Sequence, residues 1–169
     1  MENTENYRPN VAIIILNNSG QILWCKRKDG NGWQFPQGGL DKGESPLEAI
    51  YRETQEEVGL ERKDIRIIKE TKEWFNYKVP EDRLPKYFRF KNSTFIGQTQ
   101  KWFLAEILCE DSCINLNASS PIEFVDWTWS SYWHPVNGGA DFKKATYRKV
   151  LKSFLPDYNY FMKNQGTLY

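Results

Sequence analysis

The chain reads as an α+β domain in which helices cover a β-sheet. Three observations predict that class: a fully signposted helix over residues 45–59, short apolar runs set apart by turn signals, and a second helical pattern starting at Asp141. At 169 residues the chain suits one domain with a sizeable core, and neither a repeat nor a Gly/Ser-rich linker divides it. The expected organisation is a domain over 1–157 and a loosely ordered tail over 158–169.

Val11–Leu16 and Ile22–Trp24 are apolar runs separated by Asn17-Asn18-Ser19-Gly20, which predicts a hairpin. In the first helix Ser45 is the N-cap, Pro46 takes the first position, and Glu48 completes a capping box. Leu47, Ile50, Tyr51, Thr54 and Val58 supply a mostly apolar stripe, and Gly59 stands where a left-handed C-terminal residue is wanted. Ile65–Ile68, Lys101–Leu108 and Glu123–Trp129 read as further strands, and 80–95 as a long loop. Asp141 is the expected N-cap of the second helix, reaching about Phe154, with Phe142, Ala145, Val150, Leu151 and Phe154 buried.

Composition excludes several chemistries. Val11–Leu16 is too short to span a bilayer, and MENTENYRPN lacks the basic start and apolar stretch of a signal peptide, so a cytoplasmic protein without a membrane partner is expected. Three cysteines (Cys25, Cys109, Cys113) and one histidine form no paired CxxC pattern, which argues for reduced thiols over a structural zinc site. His134, between Trp133 and Pro135, reads as structural. With 26 aromatics (7 Trp, 9 Tyr, 10 Phe), some are expected to stack on bases and most to be core. The net charge of +1 announces no nucleic-acid binder, but cations cluster locally. Arg83, Lys86, Arg89 and Lys91 form one patch, Lys26–Lys28 another, and Lys143, Lys144 and Arg148 a third. Such patches hold phosphates by counterion release. Lys149 and Lys152 read as solvating a helix face.

The carboxylates of the first helix carry the chemistry. With each residue advancing about 100°, Glu56 and Glu57 lie at about −60° and +40° from Glu53, on one face. Arg52 is the single basic residue of this helix, so a solvated face of Glu–Lys pairs fits poorly. Like charges at this spacing repel, and a hard divalent cation bound by oxygen ligands relieves them. Glu44, in the preceding loop, is placed to pair with Arg52.

Gly38-x5-Glu44-x7-Arg52-Glu53-Thr54-x-Glu56-Glu57-x-Gly59-Leu60 resembles the Nudix box, G-x5-E-x7-R-E-U-x-E-E-x-G-U with U bulky and apolar. Thr54 is the one departure, its hydroxyl needing a partner such as the carbonyl one turn back. Residues 7–10, 33–39, 97–104, 123–133 and 142–143 further resemble the bacterial RNA pyrophosphohydrolase, or (di)nucleoside polyphosphate hydrolase, branch over roughly 6–155. The resemblance implies an α/β/α sandwich around a central mixed sheet. It also implies Mg²⁺, or Mn²⁺ or another divalent ion in its place, held by the Gly38 carbonyl, Glu53, Glu56, Glu57 and Glu123. Glu53 or Glu57 would be the catalytic base, and Glu44, Arg52 and Gly59 structural. Arg8, Arg27, Tyr77, Lys101, Phe142 and Lys143 would bind substrate. Ala140 replaces a larger apolar residue, implying altered base preference, and residues 80–92 run longer than usual. The implied substrate is a 5′-phosphorylated single-stranded RNA end, with dinucleoside polyphosphates or a non-catalytic RNA-end module as alternatives.

Overall fold

The computed structural model describes residues 6–83 and 96–165. Lys86, Arg89, Lys91 and most of the 80–92 segment lie outside them. Among the described residues eight strands form one sheet: β1 (Tyr7–Leu16), β2 (Ile22–Arg27), β3 (Trp33–Gln34), β4 (Gln37–Gly39), β5 (Ile65–Glu70), β6 (Phe75–Lys78), β7 (Gly97–Ile107) and β8 (Phe124–Ser130). The main order is β3-β2-β1-β7-β5, with β4 on β1, β6 on β7 and β8 on β2. β1 and β7 run parallel from Tyr7↔Gly97 to Leu16↔Glu106, and the other pairings are antiparallel, so the sheet is mixed.

Both faces of the central strand are buried, which is why Val11–Leu16 reads as an unbroken apolar run. Its odd-numbered residues Val11, Ile13 and Ile15 meet Ala49, Ile50 and Val58 of α1 (Pro46–Val58). Its even-numbered residues Ala12, Ile14 and Leu16 meet Tyr147, Val150, Leu151 and Phe154 of α3 (Asp141–Asn164), which follows the short α2 (His134–Gly138). The result is the α/β/α sandwich. Trp24, Phe35, Trp102 and Tyr147 pack edge to face at centroid separations of 5.0–6.0 Å, so these aromatics are core. Among the described residues no helix is long and apolar enough to cross a membrane.

The first helix forms as its signals dictate. Ser45 and Glu48 complete the capping box, and Gly59 adopts φ 74°. Thr54 Oγ1 donates to the Ile50 carbonyl at 2.6 Å, the partner its hydroxyl needed. Leu47 is the exception in the stripe: it is exposed, and Ala49 takes the buried place. The second helix departs further. Ala140, not Asp141, is the N-cap, and Asp141 instead pairs with Lys144 at 2.9 Å. Ala145 is exposed, while Thr146 and Tyr147 are buried.

The expected loose tail over 158–169 is helical as far as Asn164, and Pro156 lies inside the helix. A proline removes one hydrogen bond, but burial continues past it. Phe161 is buried, and Tyr158 stacks on Tyr132 at 4.1 Å while donating to the Gly20 carbonyl at 3.1 Å. β3, β4, β6 and α2 had no counterpart in the sequence reading, because two to five residues carry too little periodicity.

Candidate active site

Strand β4 separates two depressions of opposite charge. On the α1 side, Arg52 closes the loop between β4 and the helix. Its Nε donates to Glu44 Oε1 at 2.8 Å and its Nη2 to the Gly39 carbonyl at 2.9 Å, while Glu44 Oε2 accepts the Asp41 N–H at 2.8 Å. The predicted brace therefore forms, and Arg52's hydrogen bond holds Glu44 below the usual carboxylate range. Arg52 does more than its spacing suggests. It also lies 2.7 Å from Glu53 and 3.4 Å from Glu56, so these acids do have an intrahelical partner.

Glu53 leans against β4, where a Cβ on Gly38 would fall 2.0 Å from its carboxyl carbon. Only glycine leaves room for that approach. Glu57 is 7% exposed, and its Oε2 accepts the Gln37 N–H at 3.1 Å. Burial, then the charge of Glu53, pushes the Glu57 carboxyl well above its ordinary range. Burial also raises Glu53, against the hydrogen bond from Arg52. Glu123, one residue before β8, joins Glu53, Glu56 and Glu57 on a groove of about 930 Å³, opposite the 119–121 turn. The four carboxylates do not close on one point: among the described residues no three of them bring oxygens within 4.8 Å of one another. An all-oxygen donor set with a buried, charge-disfavoured carboxylate at its floor fits a hard divalent cation that keeps some of its waters.

The other side of β4 is a cleft of about 790 Å³. Arg8, Arg27, Tyr77, Phe142 and Lys143, five of the six residues that the resemblance named for substrate, all line it. Arg8 lies against Gly39, its Nη2 3.1 Å from where a Cβ would stand. Gln34, which sequence reasoning passed over, organises the floor: its Oε1 accepts from Arg27 Nη1 at 2.9 Å and from Lys143 Nζ at 3.0 Å. Asp29, also passed over, pairs with Arg27 and is drawn down to about 2 by that hydrogen bond. Lys143 is 5% exposed, and burial, then the Arg27 charge, lowers its ammonium to about 7. Tyr77 and Phe142 tilt together at 5.9 Å, with Lys143 Nζ 5.6 and 5.7 Å from the two rings. Burial raises the Tyr77 phenol, whose OH donates to Gln98.

Lys101 is not brought to this cleft. Its Nζ donates to the Lys72 carbonyl at 3.3 Å, and strand alternation sets it with Phe103 and Ala105, on the α1 side. Gln37 connects the two depressions, its backbone N–H on Glu57 and its side chain lining the cleft, where Oε1 accepts from Gln100 at 3.3 Å. Gln34 and Gln37 belong to the 33–39 motif, so the signal was present and their roles were not.

Residues 6–157 match the NUDIX domain. The chain is a Nudix hydrolase. It is 46% identical over 155 residues to the RNA pyrophosphohydrolase of Pectobacterium atrosepticum, covering 92% of this chain and 86% of that protein. It is 48% identical over 154 residues to the RNA pyrophosphohydrolase of Photorhabdus laumondii, covering 91% and 86%. Among solved structures, the E. coli dihydroneopterin triphosphate pyrophosphohydrolase superposes with a TM-score of 0.69 at 18% identity, covering 90% of this chain and 99% of that one. A C. elegans Ap4A hydrolase complex does so with a TM-score of 0.62 at 18% identity, covering 88% and 98%. These two establish the fold. Family membership makes the chain an enzyme acting on phosphoric anhydrides with a divalent metal, which removes the non-catalytic binding module.

Proposed function

We propose that this Nudix hydrolase cleaves the anhydride of 5′-triphosphorylated or 5′-diphosphorylated RNA, leaving a 5′-monophosphate that favours decay of the RNA. The observation that carries this reading is the meeting of an acidic groove and a cationic, aromatic cleft across three residues of β4. A nucleotide end has the same two parts, a base to be held and a phosphate chain to be cut beside it. Similarity to RNA pyrophosphohydrolases over most of both chains supports the choice of RNA.

In this reading Phe142 offers a stacking face to a 5′ base, and Arg8, Arg27 and Lys143 take phosphate oxygens. An anion beside Lys143 restores the charge that burial disfavours there. Ala140 caps α3 at the cleft wall and leaves extra width beside the base. Glu53, Glu56, Glu57, Glu123 and the Gly38 carbonyl would hold Mg²⁺, which when bound neutralises phosphate oxygens and acidifies water. Either Glu53 or Glu57 accepts the proton of the attacking water, and Arg52 fixes the direction of Glu53. Water adds to phosphorus as the anhydride bond breaks, releasing pyrophosphate from a triphosphate or orthophosphate from a diphosphate.

The test is kcat/KM in Mg²⁺ for 5′-triphosphate RNA, 5′-diphosphate RNA and diadenosine tetraphosphate, both RNAs carrying the same unpaired 5′ nucleotides. Preference for either RNA above about tenfold, roughly 1.4 kcal/mol in the transition state, is expected. Preference for the dinucleotide reassigns the cleft to dinucleoside polyphosphates.

A further inference from the structure

Away from both depressions, three metal-ligating side chains converge that the hydrolytic reaction does not use. Asp64 ends a 3₁₀ turn just after α1, and Cys109 and Cys113 lie around a second such turn, Asp111–Cys113, just after β7. One carboxylate oxygen and the two Sγ atoms all lie within 4.8 Å of one another. Both cysteines are free and half-buried, so the cluster is held in place yet open to solvent.

Main-chain bonds set this arrangement. Leu108 N–H donates to the Asp64 carbonyl at 2.7 Å, and Cys113 N–H to the Glu110 carbonyl at 2.9 Å. Asp64 Oδ2 accepts the Glu61 N–H at 2.8 Å, which aims the carboxylate and leaves its second oxygen for another partner. Asn115 N–H donates to the Val58 carbonyl at 2.8 Å, tying the cysteine loop to the end of α1.

The donor chemistry differs from that of the groove. Two thiols and one carboxylate select a borderline-soft cation, whereas four carboxylates select a hard one. Cys109-x3-Cys113 falls within the spacing of paired zinc ligands. A tetrahedral site with sulfur at about 2.3 Å sets ligand separations near about 3.8 Å, and the three ligand atoms here all lie within 4.8 Å of one another. The cysteine pattern, which argues for reduced thiols, leaves out Asp64, a candidate third donor 45 residues earlier in the chain.

We propose that Asp64, Cys109 and Cys113 form a second metal site, for a thiophilic divalent cation of the zinc class, with its fourth position left to water. On binding, two S–H bonds are replaced by two sulfur–metal bonds, and two protons pass to solvent. The ion would pin the loop packed on Val58 and Gly59, steadying the end of the helix that carries Glu53, Glu56 and Glu57.

Co²⁺ titrated into the reduced full chain, with Mg²⁺ saturating the groove, tests this. One Co²⁺ per chain is expected, with a thiolate-to-cobalt charge-transfer band that Zn²⁺ displaces. C109S and C113S should abolish the band, and D64N should weaken binding tenfold or more. Zn²⁺ should raise the Tm of the wild type and leave that of C113S unmoved. Independently of any variant, Zn²⁺ should protect Cys109 and Cys113 of the wild type from alkylation, read by peptide mass. No band at saturating Co²⁺, a band that survives C113S, or equal alkylation with and without Zn²⁺ each overturns the site.

Discussion

The groove and the cleft are built by opposite means. Three of the groove's four glutamates come from a single helical stretch, Glu53 to Glu57, and one glycine opposite gives Glu53 room. The cleft gathers Arg8, Arg27, Tyr77 and Lys143 from β1, β2, β6 and α3, and lets one uncharged side chain, Gln34, accept from two cations at once. A chemical step that needs fixed spacing can be written in a short motif. Recognition of a larger ligand needs surfaces from far-apart segments, and so exists only in the folded chain.

The largest expected effect tests the groove. E53Q should lower kcat by about 10²- to 10⁴-fold, the usual worth of a positioned acid or base, with the thermal melt unchanged. A variant with normal turnover would break the contrast between a reacting groove and a binding cleft. G38A comes next, since its methyl would sit 2.0 Å from the Glu53 carboxyl carbon. Displacement of Glu53 by about 1 Å predicts up to about 10²-fold in kcat with little change in KM for RNA.

K143M probes the cleft and should show the reverse pattern, KM raised about tenfold with a smaller change in kcat. Its stability also has a defined pH dependence. Lys143 titrates at about 7 in the fold and at 10.5 ordinarily, so between those values the unfolded chain holds the extra proton. Unfolding free energy of the wild type relative to K143M should therefore rise with pH from 7 to 10.5 and level off below 7. The slope is at most about 1.4 kcal/mol per pH unit. Urea melts of both proteins across that range check it; parallel curves would show the amine to be solvated. The smallest effect is T54V. It removes a hydroxyl bonded to a helix carbonyl on the buried face of α1, and should move stability by less than about 1 kcal/mol and kcat not at all.

Much of this was legible in the sequence because the causes are local. The capping box at Ser45, the turn at Gly59, the Glu44–Arg52 brace and the Thr54 hydroxyl bond each act within about two helical turns, so residue type and spacing fix them. Val11–Leu16 announced the central strand because burial on both faces leaves no polar position. What failed was governed by distant partners. The second helix was expected to end near Phe154, but Phe161 finds a core to enter and the helix continues through Pro156. Lys101 is named beside Arg8 and Arg27 in the sequence, but strand alternation sets it on the α1 side of the sheet, away from their cleft. Lys143 reads as one cation of a phosphate-holding patch, and its burial on Gln34, 109 residues earlier in the chain, is not visible in the sequence. The sequence by itself determined the helix that carries Glu53, Glu56 and Glu57. Only the tertiary structure decided which cations face it across β4, because that pairing depends on how the strands are ordered in the sheet.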